Sequence, residues 1–143
     1  MTQDALTIYQ DFLDRTAMGL MARDADAFLR LIHLPVRIDT DNGTFELTDM
    51  TMARRHFTGF SDALKAQGAD SYVRIATGAE FIAADRIRGR HKAHISSFGK
   101  LVAPVYENEM ELVHRDGVWG ACRIRHLIHF ASWPDTLPRH EAP

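Results

Sequence analysis

Near Asp70 the spacing of apolar residues changes from a helical period of about 3.6 to a strand period of 2, and no other feature constrains the fold as strongly. Before that point helices flank one small hairpin. After it four strands follow in succession, near residues 71 to 83, 86 to 97, 102 to 114 and 118 to 130, with turns at Ala84-Asp85, Ser97-Phe98-Gly99-Lys100 and Arg115-Asp116-Gly117. Strands joined by short turns pair antiparallel. The expected class is therefore α+β, with three N-terminal helices packed in a curved, mainly antiparallel sheet. The chain has 143 residues, 45% of them hydrophobic and 25% charged, which suits a single domain with its own core.

Residues 4 to 21 place Ala5, Ile8, Tyr9, Phe12, Leu13, Thr16 and Leu20 on one helical stripe. Asp24 is the expected N-cap of a short second helix that buries Phe28, Leu31 and Ile32 and ends at Pro35. Val36 to Asp39 and Thr44 to Leu47 then alternate as strands around an Asp41-Asn42-Gly43 turn. Thr48 or Asp49 caps a third helix, which runs to about Gln67 and stops at Gly68. Its Ala53, Phe57, Phe60 and Leu64 share a face, and His56 falls toward the rim of that face. An irregular tail begins at about residue 132, where Pro134, Pro138 and Pro143 follow Trp133.

The last hairpin, Val102 to Phe130, orders the sheet. A two-residue loop at Asp116-Gly117 would mix charged and apolar residues on both faces. A three-residue loop with Gly117 at positive φ pairs His114 with Val118 and separates them. On that pairing Tyr106, Asn108, Met110 and Leu112 share the buried face with His126, Ile124 and Cys122, while Glu107 meets Arg125 and Glu109 meets Arg123. In the strand before it, Ile87, Gly89, His91, Ala93 and Ile95 face inward. Arg86, Arg88, Arg90 and Lys92 face outward, where Glu107, Glu109 and Glu111 can pair with them.

A net charge of −2 and this self-paired ladder argue against nucleic acid as a partner. The single cysteine, Cys122, suits a reducing compartment, and the cytoplasm is expected. The N-terminus has no signal-peptide pattern, and there is no apolar run long enough to span a membrane. The chain has no phosphate-cradling glycine loop, no His-Glu-x-x-His motif and no Gly-x-Ser-x-Gly elbow. No cofactor is expected. No metal is expected either, because His91-x-x-His94 and His126-x-x-His129 send their side chains to opposite faces of a strand.

The order helix, helix, small hairpin, helix and long meander resembles that of the nuclear transport factor 2-like superfamily over about residues 4 to 130. The local likeness lies in His33-Leu34-Pro35-Val36 through Asn42-Gly43 and in Arg115-Asp116-Gly117-Val118-Trp119, and it is nearest to the small SnoaL-like bacterial proteins. The resemblance implies a cystatin-like cone with a largely apolar pocket, and a homodimer. Function is left open, because members range from isomerases and dehydratases to non-catalytic proteins.

Two readings of the pocket follow. In one it binds a small apolar ligand without catalysis, lined by Tyr9, Tyr106, Asn108, Met110 and Ile124. In the other it belongs to a cofactor-independent lyase or isomerase in which His91 and His126 act as an acid/base pair, since imidazole titrates near neutrality. The second reading requires both rings to face one cavity. Cys122, placed on the buried face beside Met110 and Ile124, is expected to be inert.

Overall fold

Asp4, Asp24 and Asp49 each accept a hydrogen bond from the backbone N–H three residues on, at 2.7, 3.1 and 2.9 Å. Each thus satisfies one of the donors that a helix start leaves unpaired. The helices that follow are α1 (Ala5–Met21), α2 (Ala25–Leu29) and α3 (Met50–Ala66). The computed structural model describes residues 3–40 and 43–126. The Asp41-Asn42 turn, Trp133, His129 and the expected tail lie outside the described residues.

The strands are β1 (Ile32–Thr40), β2 (Gly43–Leu47), β3 (Ser71–Ala83), β4 (Arg86–Ser97), β5 (Lys100–Leu101), β6 (Tyr106–Arg115) and β7 (Val118–His126). They form one curved, mixed sheet in the order β2-β1-β7-β6-β4-β3, with β5 paired to β4. Every neighbouring pair is antiparallel except β1 with β7. The strand expected from residue 102 starts only at Tyr106, after Pro104, and a separate short β5 ends at Leu101. Pro35 does not stop a helix. It lies inside β1, where the register to β7 shifts between Ile32 and Arg37, and a missing N–H is tolerated at such an irregularity.

All seven residues of the α1 stripe are buried. The helix lies across the inner face of the sheet, and Gln10 pins it to the free edge of β3. The Gln10 amide donates to the Arg74 carbonyl and accepts from the Ala76 N–H, both at 2.8 Å, so it occupies backbone groups that an edge strand leaves open. Tyr9 crosses β4 at Gly89. A Cβ on Gly89 would lie 2.5 Å from the Tyr9 ring, so only glycine lets the two approach this closely.

The final hairpin corrects the three-residue loop. Arg115 pairs with Val118, and Asp116 and Gly117 both have positive φ, at 53° and 79°, as a two-residue type I′ turn requires. The register then shifts by one residue between Glu111 and Leu112. Cys122 is the extra residue of this bulge. Beyond it Asn108 pairs with His126, Met110 with Ile124, Glu109 with Arg125 and Glu111 with Arg123. The charged and apolar faces are separated as expected, but each arginine meets a glutamate two positions further along than the longer loop implied. Cys122 itself leaves the apolar face, with its thiol 3.5 Å from the Glu111 carbonyl and 3.7 Å from Arg86.

On the outer face Arg90 reaches Glu107 at 3.6 Å and Glu109 at 3.4 Å. Arg123 bridges Glu111 at 3.3 Å and Asp39 of β1 at 2.9 Å, tying the parallel strand into the ladder. Burial opposes ionisation of Asp39, but hydrogen bonds from Thr44, Arg37 and Arg123 outweigh it and lower its pKa to about 2.

Candidate functional site

Between the helices and the inner face of the sheet lies a cavity of about 80 Å³. Phe12, Thr16 and Leu20 of α1 and His56, Phe57 and Phe60 of α3 form one side. The sheet supplies Tyr72 and Arg74 from β3, Tyr106, Asn108 and Met110 from β6, and Ala121, Ile124 and His126 from β7. The strand period of 2 explains why alternate residues of β6 appear here while Glu107 and Glu109 sit outside.

Tyr106, Asn108, Met110 and Ile124, expected in the pocket wall, line this cavity, and so does His126. Tyr9 and His91 are placed differently. Both are completely buried, and neither contributes to the lining. The Tyr9 hydroxyl lies 2.7 Å from His91 Nδ1, with the ring centroids 5.9 Å apart. Tyr9, expected in the pocket wall, is thus held in the core between α1 and β4, because its ring is drawn over Gly89 toward His91. The two histidines do not face one cavity. They lie in the same row of the sheet, each paired in register with Asn108, on opposite sides of β6.

Burial sets the protonation of this row. Removal from water, followed by the positive charge of Arg74 and then by His126, lowers the His91 pKa to about 2. Burial alone lowers that of His126 to about 4. Both imidazoles are neutral at pH 7. Burial likewise raises the Tyr9 and Tyr106 hydroxyls above their ordinary value. With His91 neutral, donation from the Tyr9 hydroxyl to Nδ1 places the imidazole proton on Nε2, and this tautomer satisfies the only hydroxyl hydrogen of Tyr9. His91 Nε2 and Asn108 Oδ1 are both buried without a hydrogen-bond partner. Tyr72 and Tyr106 bring their hydroxyls within 3.4 Å at the α3 side of the wall.

The residue that sequence reasoning missed is Arg74. It is 7% exposed and lines the cavity, while its flanking residues Val73 and Ile75 point outward. The signal was present. Ala84-Asp85 is a two-residue turn, and carrying the inward parity of His91 and Ala93 across it puts Tyr72 and Arg74 on the inner face. The two register shifts in β3 preserve that parity, and Arg74 pairs with Ala93.

Among the described residues no group of three or more His, Cys, Asp and Glu side chains gathers that could hold a metal ion. No helix among them is long and apolar enough to cross a membrane.

No family model matches the sequence, and no curated protein matches it. Solved structures do. A cystatin-like domain of unknown function from Nostoc punctiforme superposes with a TM-score of 0.66 at 9% identity, over 92% of this chain and 82% of the other. An NTF-2 like protein of unknown function from Shewanella oneidensis gives 0.64 at 8% identity, over 83% and 95%. The chain has the NTF2-like, cystatin-like fold. A hexachlorocyclohexane dehydrochlorinase from Novosphingobium barchaimii also superposes, with a TM-score of 0.57 at 16% identity over 87% of this chain and 92% of the other. At these identities the NTF2-like likeness is one of architecture, and the same scaffold serves an enzyme and proteins with no known activity.

Proposed function

We propose that this chain is a small-molecule pocket protein that binds a small, largely apolar ligand without catalysing its conversion. The observation that supports this reading is the cavity itself, walled mainly by phenylalanines, leucine, isoleucine, valine and methionine, with only a few polar groups turned inward. Its volume of about 80 Å³ suits a ligand of few heavy atoms. For scale, an apolar cavity of about 150 Å³ takes up benzene. The alternative, a cofactor-independent lyase or isomerase using His91 and His126, has less support. The Tyr9 hydroxyl engages His91, and only His126 lines the cavity.

Methyl-labelled protein titrated with xenon, benzene and toluene tests the reading. Saturable shifts are expected at the Met110 and Ile124 methyl groups, and their loss in Ala121→Phe, which fills the space. No saturable shift with any of the three probes would refute it. A homodimer and a cytoplasmic location complete the proposal. The exposed Val73 and Ile75 beside the outer charge ladder support the first, and the lone thiol supports the second. Light scattering on the eluted protein and cell fractionation test them, with a monomer or an exported protein as the contrary results.

A further inference from the structure

Arg74 places a guanidinium in an apolar wall with no carboxylate to balance it. Among the described residues no Asp or Glu forms an ion pair with it, and no acidic residue lines the cavity. Its head is held in place. Nη2 donates to the Leu13 carbonyl at 2.9 Å and to the Thr16 hydroxyl, and Thr16 in turn donates to the Phe12 carbonyl at 2.9 Å. The guanidinium carbon sits 5.1 Å from the centre of the Tyr72 ring. These contacts use one end of the fork. The Nε–H is buried with no partner at all.

A buried charge left uncompensated is costly, and natural proteins keep such groups paired. A structural role explains the bonds of Nη2, but it leaves the positive charge in the cavity wall without a counterion. The other titratable groups facing the cavity cannot supply the missing charge. An imidazole such as that of His126 or His56 carries no negative charge, and burial raises the Tyr106 hydroxyl so that it stays protonated.

We propose that the cavity ligand is a small organic anion, a carboxylate with an apolar body of two or three carbons, whose charge balances the Arg74 guanidinium in the cavity wall while the body packs against Phe12, Met110 and Ile124. This rests on the reading of the cavity as a ligand site and adds the chemical class of the ligand. A charge-assisted bond in a dry wall gives selectivity over a neutral isostere, because the amide analogue brings no compensating charge to the guanidinium.

The probes are propionate and its uncharged isostere propionamide, titrated into the wild-type protein at pH 7 and equal ionic strength. Propionate is expected to bind at least tenfold more tightly, and it alone is expected to move the Arg74 Nε–H resonance. In Arg74→Gln the preference is expected to disappear while propionamide still shifts the Met110 methyl. Should that variant fail to fold, the wild-type comparison decides. Equal affinities, or tighter binding of propionamide, overturn the anion while leaving the ligand site standing. Silence from both, with benzene still bound, also overturns the anion. Silence from all of them removes the ligand-site reading as well.

Discussion

Removing the Tyr9 hydroxyl isolates the buried polar pair from everything around it. Tyr9 and His91 are both fully buried, and among the described residues the 2.7 Å bond between them is the one side-chain hydrogen bond that either makes in the core between α1 and β4. In Tyr9→Phe the ring still covers Gly89, so packing is retained. His91 then holds an imidazole with neither nitrogen bonded, because Nε2 is already without a partner. Leaving a buried polar group unsatisfied costs about 1–3 kcal/mol. For a chain of this length that corresponds to a melting temperature lowered by roughly 3–12 °C. Replacing both partners with apolar groups of similar shape is nearly neutral by the same reasoning, since nothing is then left unpaired. The double variant Tyr9→Phe/His91→Leu is therefore expected to be more stable than Tyr9→Phe alone. Urea unfolding of wild type, both single variants and the double variant gives the coupling directly. A Tyr9→Phe loss below about 0.5 kcal/mol, or a double variant whose loss equals the sum of the singles, would refute the assignment.

The acid limb of stability should report the neutral histidines. In the folded chain His91 and His126 have pKa values lowered to about 2 and about 4, against 6.5 when unfolded, so between pH 6.5 and 4 the unfolded state binds more protons. Stability is then unaffected above pH 6.5 and falls as the pH drops, by at most about 2.7 kcal/mol per unit for the two groups; below pH 4 only His91 continues to contribute. His91→Leu and His126→Leu should each flatten this limb in urea titrations across pH, and unchanged slopes would contradict the burial. Gly89→Ala is expected to cost about 1–3 kcal/mol, because its Cβ would fall within 2.5 Å of the Tyr9 ring; calorimetry showing no loss would mean that the ring does not lie there. Asp116→Val should cost about 1–2 kcal/mol, since Asp116 sits at φ 53° where a β-branched side chain is strained. Asp116→Gly should be neutral or stabilising.

Much of the architecture could be read from periodicity. The α1 stripe, the Asp24 cap and the inward row of β4 follow from spacing alone, because each depends on neighbours close in sequence. Tyr106, Asn108, Met110 and Ile124 reach the cavity wall for the same reason. What was not legible depends on contacts distant in sequence. Pro35 looks like a helix stop until β7 is placed beside β1. Gly89 looks like a weak point in a strand until the Tyr9 ring, 80 positions earlier in the chain, is laid over it. Arg74 differs from these, since Val73 and Ile75 on either side suggest that the apolar residues face inward while parity carried across the Ala84-Asp85 turn already points the other way. In β3 that usual arrangement is inverted.

The last hairpin shows how two correct rules can give a wrong register. Asp-Gly between alternating strands signals a two-residue turn, and the demand that charges and apolar groups part signals an even offset between the strands. In a regular ladder these conflict. The chain satisfies both by inserting Cys122 five residues after the turn. From the turn to Leu112 the pairing obeys the turn, and from Glu111 onward it obeys the faces, so Met110 meets Ile124 across the cavity floor while Glu111 meets Arg123 outside. The bulge also bends β7 where it must turn to run parallel with β1, whose own register shifts between Ile32 and Arg37 opposite the same residues. One extra residue thus reconciles turn with pattern and brings Ala121, Ile124 and His126 onto the wall that Arg74 faces.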